Sequence, residues 1–239
     1  MKYIYGPVQS RRMGLSLGIS LTPHKVCQLD CVYCQVGATT LKTAKRMVYA
    51  DTREVLSELQ SWFEVNPDMA GKLAYVTLAG AGEPTLHTDI ASLIAKIKSM
   101  TKVQIAVITN SCCLPDPAVR AEILGADLIV PSLDAVTQEV FAKINRPVPG
   151  IKIEDIIEGL VNLRKEYRGK IWLEIMLVRG INDDIRQIRK FKDIVDRINP
   201  DLIQLNSPVR STTQKDVHPA ERVKLEQVQE ILGEKAQIV

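Results

Sequence analysis

The chain has 239 residues, 46% of them hydrophobic and 25% charged, which is the composition of a folded protein with a full hydrophobic core. No apolar run reaches the ~18 residues of a membrane-spanning helix, so the sequence predicts no membrane partner. The net charge is +3, from 31 basic and 28 acidic residues, too small an excess to argue for or against a nucleic-acid partner. Arg11 and Arg12 lie where a signal peptide needs its apolar core, so we expect a cytoplasmic protein.

Short apolar segments alternate with segments of helical periodicity along the whole chain. Six segments have the length and composition of strands; these are residues 15–21, 73–78, 103–108, 127–132, 171–178 and 202–206. Capping-box patterns at Asp51 with Glu54 and at Asp184 with Gln187 each introduce an apolar helical stripe. Further helices are predicted through the stripe of Ile90 to Ile97 and over residues 137–144, 153–166 and 219–232.

This alternation predicts an α/β fold made of βαβ units with a parallel sheet. Six units fit either an open doubly wound sheet or an incomplete barrel, and the pattern alone does not choose between them. In both folds the functional loops follow the carboxyl ends of the strands. The sequence shows no repeat of fixed period and no low-complexity linker, so we expect residues 1–239 to form a single domain.

Three of the five cysteines lie within eight residues, as Cys27-x-x-x-Cys31-x-x-Cys34. Thiolates are soft ligands that suit zinc or iron–sulfur clusters. A cluster ordinarily takes four protein ligands, so three would leave one iron open to a substrate. Two alternatives are a zinc site with His24 as a fourth ligand and three unrelated buried cysteines.

The cysteine motif, with Tyr33 at the aromatic position of C-x-x-x-C-x-aromatic-C, resembles the signature of the radical S-adenosylmethionine superfamily. The segments YGPVQSRRMGLSLGIS, LAGAGEPTLH, PSLDA, KINRPVPG, KIWLEIMLVRGIND and IQLNSPVR extend the resemblance over nearly the whole chain. They are similar to a compact iron–sulfur oxidoreductase-like subgroup related to the radical domain of the tRNA wyosine-synthesis enzyme.

This resemblance implies an incomplete (β/α)6 TIM-like barrel of parallel strands. It also implies that Cys27, Cys31 and Cys34 bind a [4Fe–4S] cluster whose fourth iron is chelated by the methionine part of S-adenosylmethionine. An electron donor such as a flavodoxin or ferredoxin would reduce the cluster. The cofactor would then yield a 5′-deoxyadenosyl radical that abstracts hydrogen from a substrate.

The resemblance makes Tyr33 of the cysteine motif a candidate contact to S-adenosylmethionine, and four strand ends carry further candidates. The resemblance assigns the methionine amino group to Ala81, Gly82 and Glu83, where Ala81 replaces the usual glycine; a plain strand-to-helix turn is the alternative. Asn110 is either a polar contact to the cofactor or a loop cap. Ser132 and Asp134 suit the ribose hydroxyls, although Asp134 could instead cap the next helix, and Asn206 is the candidate for the adenine.

Other polar residues near the strand ends have more than one possible role. Cys112 and Cys113 are idle thiols or have a redox or radical-quenching role. Lys143, Asn145 and Arg146 put two cations beside a proline break. These cations either neutralise the cofactor carboxylate or a substrate phosphate, or lie at a solvated helix end. Glu174, in an apolar strand, requires a partner such as an arginine or the cofactor. Arg11 and Arg12 either bind substrate or tie the N-terminal segment to an acidic loop.

The substrate is the least determined part of the interpretation. The wyosine relative points to tRNA, but the chain has neither the flavin-binding domain nor the additional cluster cysteines found in that family. It also lacks the cysteine-rich C-terminal extension of many peptide-modifying relatives. Modification of tRNA or of a protein, a small-molecule substrate and maturation of another enzyme are therefore all open. A metal-binding protein without catalytic activity is the alternative of a different class.

Overall fold

A computed structural model describes residues 1–210 and 212–239 of the chain. The strands are β1 (Ile4–Ser10), β2 (Gly14–Ser20), β3 (Val26–Cys27), β4 (Leu41–Lys42), β5 (Tyr75–Ala79), β6 (Gln104–Thr109), β7 (Leu128–Pro131), β8 (Lys170–Met176), β9 (Leu202–Asn206) and β10 (Ala236–Ile238). The helices are α1 (Thr52–Val65), α2 (Pro67–Ala70), α3 (Ile90–Met100), α4 (Pro117–Ile123), α5 (Gln138–Ile144), α6 (Ile153–Glu166), α7 (Ile185–Ile198) and α8 (Arg222–Leu232). In the described part of the chain, no helix combines the length and the apolar character that crossing a bilayer requires.

Eight strands form one sheet in the order β1-β2-β5-β6-β7-β8-β9-β10. Each neighbouring pair from β2 to β10 is parallel, whereas β1 is antiparallel to β2. A doubly wound sheet reverses its strand order at a switch point, whereas a barrel adds each new strand on the same side. The unbroken strand order therefore excludes the doubly wound alternative and confirms the incomplete barrel of parallel strands.

The six predicted strands correspond to β2 and to β5 through β9, with their ends within two residues of prediction. Four strands, β1, β3, β4 and β10, and two helices, α2 and α4, were not predicted. Strand β1 contains Gly6-Pro7, a sequence that usually marks a turn, and β10 and α4 are too short for a periodic pattern. The last helix begins at Arg222 rather than at residue 219, because Pro219 forms a bridge with Val178.

Both predicted capping boxes are half right. Asp51 and Asp184 each cap their helix by accepting a hydrogen bond from the amide two residues further on. The reciprocal bond does not form in either case. The Glu54 carboxylate instead bonds to Nζ of Lys2 at 2.9 Å, and Oε1 of Gln187 is buried without a hydrogen-bond partner among the described residues. At Glu54, a residue distant in the sequence therefore takes the place of the local capping bond.

The two faces of the barrel sheet have different chemistry, because successive residues of a strand point to opposite faces. The outer face joins the helices in the main hydrophobic core, and its sheet residues include Leu17, Ile19, Val76, Leu78, Ile105, Val107, Ile129, Leu173 and Leu205. On the inner face a smaller apolar cluster fills one end of the barrel; it comprises Met13, Tyr75, Ala106, Leu128 and Val130, with Trp172 packed against it.

Further along the same inner face, toward the carboxyl ends of the strands, the side chains are polar. Glu174 is paired in register with Gln204, and Met176 with Asn206, so these strand residues share one face. Ser132 forms a bridge with Glu174 at the same level. The apolar cluster thus closes the bottom of the barrel, and the polar layer leads to the loops at its top.

We predict that Gly159→Ala destabilises the fold. A Cβ at position 159 of α6 would lie 2.6 Å from the carbonyl carbon of Leu114, which is main chain and cannot move aside. The expected loss is about 1–3 kcal/mol of unfolding free energy, despite the better helix propensity of alanine. Urea denaturation measures this change.

Gly71→Ala is the matched control for this substitution. Its new Cβ would meet no atom closer than 3.8 Å, and its backbone is ordinary right-handed helix. It should be neutral or stabilising by up to about 1 kcal/mol. Equal stability of the two variants would contradict the close packing of α6 on the segment after β6.

Candidate active site

The three cysteines lie on a loop that begins at Cys27, the last residue of β3. The amides of Asp30 and Val32 donate hydrogen bonds to the carbonyls of Asn145 at 3.0 Å and Ile144 at 2.9 Å. These carbonyls belong to the end of α5, and the last carbonyls of a helix have no partner within the helix. The cysteine loop supplies the missing donors, so the loop and the end of α5 hold each other in place.

Two asparagine side chains donate hydrogen bonds to cysteine sulfurs. Nδ2 of Asn110 lies 3.2 Å from Sγ of Cys27, and Nδ2 of Asn145 lies 3.3 Å from Sγ of Cys31. Burial raises the pKa of Cys27 to about 12 and also raises the pKa of Cys31. Metal binding at these sulfurs would therefore release protons, and the amide donors would then stabilise the bound thiolates and tune the potential of a cluster.

The zinc alternative required His24 as a ligand beside the three cysteines. His24 is exposed. Among residues 1–210 and 212–239 no three His, Cys, Asp or Glu side chains, the three cysteines included, are already grouped as ligands of one metal ion, so this finding does not separate zinc from a cluster. The donor set itself, three cysteines on a short loop with two amides directed at the sulfurs, fits an iron–sulfur cluster.

The carboxylate of Glu83, which is 3% exposed, joins the ends of β5 and β6. Its Oε1 accepts hydrogen bonds from the Thr85 amide at 3.0 Å and from the hydroxyls of Thr85 and Thr109, both at 2.7 Å. Its Oε2 accepts from the amide of Asn110 at 2.7 Å. Burial raises the pKa of Glu83, and these hydrogen bonds oppose that rise. Because Asn110 also contacts Cys27, Glu83 is connected to the cysteine loop through one residue.

Gly82 packs against β3. A Cβ at this position would lie 2.1 Å from the carbonyl oxygen of Val26, and the amide of Glu83 donates to the same oxygen at 2.9 Å. This contact by itself explains why position 82 is a glycine, whether or not the main chain there also contacts a cofactor. The amide of Ala81 donates to Oγ of Ser20 at 3.2 Å, so the turn after β5 is fixed on both sides.

Asp134 is a buried hub between the cysteine loop and the ends of β7 and β8. It accepts hydrogen bonds from the hydroxyl of Tyr33, from Nδ2 of Asn145 at 2.7 Å and from the amide of Met176 at 2.9 Å. Burial raises the pKa of Asp134 to about 6 although these bonds oppose the rise. The helix-capping alternative is wrong, because Thr137 caps α5.

A small cavity lies beneath the cysteine loop. Four of the predicted cofactor contacts line it together, namely Tyr33, Asn110, Ser132 and Asp134. Glu83 is joined to this group through Asn110. Asn206 does not line this cavity but a second one, closer to β1. The structure therefore brings most of the predicted site together and separates the residue assigned to adenine.

The partner that the sequence required for Glu174 is an arginine. The Arg12 guanidinium forms an ion pair with Oε2 of Glu174, and Nδ2 of Asn206 donates to Oε1 at 3.1 Å. Glu174 is 8% exposed, so the pair lies inside the barrel. Arg12 therefore ties the β1–β2 hairpin to β8 across the barrel interior, and not to an acidic loop.

The two cations at the end of α5 have different surroundings. Lys143 forms an exposed pair with Glu139 at 2.7 Å, which is the solvated helix end. Arg146 has a left-handed backbone with φ 48° just beyond the helix. Asn145, between them, is the residue that contacts both Cys31 and Asp134. The amide, rather than either cation, is the part of this motif that reaches the cysteine loop.

Cys112 and Cys113 lie directly beside the cysteine loop. The amide of Cys112 donates to Oδ1 of Asn110 at 2.9 Å, and Nε2 of Gln28 donates to Sγ of Cys113 at 2.8 Å. Burial raises the pKa of Cys113 to about 11 and raises that of Cys112 as well. Both are thus protonated thiols at neutral pH, which supports the interpretation as unreactive residues.

Residues 21–192 match the family model of the Radical SAM superfamily. The chain belongs to this superfamily. It is 33% identical over 234 residues to a UPF0026 protein of Methanocaldococcus jannaschii, a match that covers 98% of this chain and 71% of that protein. It is 36% identical over 214 residues to a Brachyspira hyodysenteriae protein named GTPase Obg; there it covers 90% of this chain but spans 31% of the length of the relative.

A solved structure of TYW1 with a lysine–pyruvate adduct bound has the same fold as this Radical SAM chain. The TM-score is 0.65, over 91% of this chain and 72% of that chain, at 19% sequence identity. The likeness confirms the partial barrel that the sequence motifs implied. At this identity it concerns the fold, so the chemistry of this Radical SAM chain rests on its own residues.

Three residues of the site were not anticipated from the sequence. The hydroxyls of Thr85 and Thr109 donate hydrogen bonds to the buried carboxylate of Glu83, and Gln28 links Asn110 to Cys113. The sequence did contain a signal for the two threonines. A buried carboxylate needs several donors, and Thr109 is the last residue of β6 while Thr85 lies in the segment that follows β5.

We predict that Tyr33→Phe destabilises the protein. The substitution leaves the buried Asp134 without the hydroxyl donor of Tyr33, and a lost bond to a buried charged group costs about 1.5–3 kcal/mol. Guanidinium unfolding under anaerobic conditions measures the change.

Tyr49→Phe is the matched control, because the hydroxyl of Tyr49 donates to the Lys45 carbonyl in an exposed position. Its expected effect is below about 0.5 kcal/mol. If both variants unfolded at the same denaturant concentration, the Tyr33–Asp134 hydrogen bond would not contribute to the stability of the fold.

Proposed function

We propose that this protein is an enzyme that binds a [4Fe–4S] cluster through Cys27, Cys31 and Cys34 and binds S-adenosylmethionine beside it. When bound and reduced, this pair supplies a 5′-deoxyadenosyl radical that abstracts hydrogen from a substrate. The observation that carries the proposal is the pair of asparagine amides, one after β6 and one at the end of α5, directed at two sulfurs of one cysteine loop.

The turn after β5 has the groups to hold the methionine amino group. Oε1 of Glu83 accepts three hydrogen bonds and Oε2 accepts one, from Asn110, in the part of the chain that is described. A carboxylate oxygen has two lone-pair directions, so Oε2 retains one for an ammonium donor. Ala81 and Gly82 would present their main chain to the same group, as the family resemblance implies.

The cavity beneath the cysteine loop has groups for the ribose. The Ser132 hydroxyl and Asp134 line it beside Asn110 and Tyr33. Oδ1 of Asp134 accepts one bond, from the Met176 amide, and so has a lone pair left for a hydroxyl donor. Asn206, which lines the neighbouring cavity, would meet the adenine only from the far side. The role of these residues is to orient the cofactor and to keep water away from a reactive species.

We propose that the electron comes from a flavodoxin or ferredoxin, and that the enzyme works in the cytoplasm. All five cysteines are free thiols, as expected in a reducing compartment. Modification of tRNA or of a protein is the reaction class suggested by the family resemblance. Activation of another enzyme by the same radical chemistry is the second candidate.

Anaerobic reconstitution tests the proposal. We expect about four irons and four sulfides per chain, and 5′-deoxyadenosine formed when a reductant and S-adenosylmethionine are added. Cys31→Ser should lose the cluster, whereas Cys113→Ser, one of the adjacent thiols, should retain it. One zinc per chain with no visible absorbance would defeat the proposal.

We further predict that Gly82→Ala impairs assembly of the cluster. Its Cβ would collide with the carbonyl of Val26 and force the turn away from the strand that ends at Cys27. Iron bound after reconstitution should fall to less than about half of the wild-type value, since one misplaced ligand weakens the whole site. Ala81→Gly, at the adjacent position, should retain full iron content; an equal loss in both variants would assign the effect to general loosening of the turn.

A further inference from the structure

A second cavity, of about 160 Å³, opens at the top of the barrel between the β1–β2 hairpin and the end of β9. Its wall comprises the turn of the β1–β2 hairpin, the residue after Cys34 and the end of β9; the lining residues are Val8, Gln9, Ser10, Arg11, Arg12, Gln35, Asn206 and Arg210. Three arginines therefore converge on one recess. None of them was assigned to the cluster or to the cofactor above.

The cavity carries excess positive charge. The Arg12 guanidinium is balanced by Glu174. Arg11 and Arg210 are exposed, and within residues 1–210 and 212–239 neither forms an ion pair with a carboxylate. Arg168 and Arg189 are also exposed without an ion pair among the described residues, but Arg11 and Arg210 are brought together at one cavity. Two uncompensated cations at one recess attract an anion.

This recess borders the cysteine loop. Gln35 directly follows Cys34, and on the other side the hydroxyl of Thr213 donates to the carbonyl of Cys34 at 2.9 Å. The segment after β9 that carries Arg210 is thus fastened to the same loop. A molecule held by the arginines would lie beside the cysteine loop, where a substrate must lie to be attacked.

The floor next to this recess also offers unused hydrogen-bonding groups. Gln204 is 1% exposed, and neither its amide nitrogen nor its oxygen has a hydrogen-bond partner among the described residues. It is paired in register with Glu174 on the inner face of the barrel. Buried polar groups are ordinarily satisfied, so an amide left open here points to a polar ligand or water in the barrel.

We propose that Arg11, Arg12 and Arg210 bind the terminal phosphate of a small phosphorylated substrate, and that the rest of that molecule extends toward the cysteine loop. A terminal phosphate carries two negative charges near neutral pH, which matches the two uncompensated arginines. Guanidinium groups bind phosphate oxygens in pairs. The proposal rests on the proposed function, since it names the substrate class of that same site.

A small molecule fits the recess better than a polymer does. The three arginines lie inside one recess and not along a stripe that could follow a polymer backbone. The phosphodiester backbone of RNA is the alternative source of phosphate groups, and the experiment must distinguish it from a small phosphorylated molecule.

Calorimetric titration of the reconstituted protein, with S-adenosylmethionine present, tests the proposal with inorganic pyrophosphate as the probe. We expect saturable binding that weakens at least about tenfold in the Arg11→Ala/Arg210→Ala double variant, or about 1.4 kcal/mol. Arg222→Ala removes an exposed arginine on α8 that is paired with Glu226, and it should bind pyrophosphate as the wild type does. The Arg11→Lys/Arg210→Lys variant retains both charges and should lose less affinity than the alanine variant.

Three outcomes would overturn the proposal. They are the absence of saturable binding, equal affinity of the wild type and the alanine double variant, and tighter arginine-dependent binding of an RNA oligonucleotide without terminal phosphates. Far-UV circular dichroism and melting curves check that the variants are folded, and if the alanine variant does not fold, the lysine variant and the salt dependence of wild-type binding decide. Pyrophosphate binding without 5′-deoxyadenosine formation would defeat the proposed function and leave this site standing.

Discussion

The buried carboxylate of Glu83 is the constraint on which the site depends. A charge removed from water must be surrounded by donors, and the donors available are Thr85, Thr109 and the amide of Asn110. Satisfying Glu83 therefore fixes the ends of β5 and β6 relative to each other. It also places Asn110 where its side-chain amide reaches Cys27. The position of the first cysteine follows from the need to solvate one acid.

A second buried acid acts in the same way on the opposite side of the cysteine loop. Asp134 collects donors from Tyr33, Asn145 and the Met176 amide, and Asn145 in turn donates to Cys31. Both acids thus position a cysteine sulfur through an asparagine side chain. A metal site held in this way is constrained, because each of the two sulfurs accepts a hydrogen bond from an asparagine that also donates to a buried carboxylate.

The interior of the barrel is divided by the Arg12–Glu174 ion pair. On one side lies the cavity beneath the cysteine loop, lined by neutral groups and one acid. On the other lies the recess with the remaining arginines. The apolar cluster around Trp172 closes the barrel below both. Chemistry on the first side and recognition of an anion on the second would share the cysteine loop as their common wall.

The sequence by itself determined the cysteine spacing, six of the strands and the residues that follow them, because these depend on local periodicity and on neighbours a few positions apart. Tertiary structure decided what those residues contact. Tyr33 contacts Asp134, 101 positions further along the chain, and Arg12 contacts Glu174, 162 positions further along. Local periodicity does not predict which residues so far apart will meet. The same holds for Gly82, whose requirement comes from the carbonyl of Val26, and for Asn206, which the curvature of the sheet places with the arginines. Long-range register and closure of the sheet, rather than residue type, set these contacts.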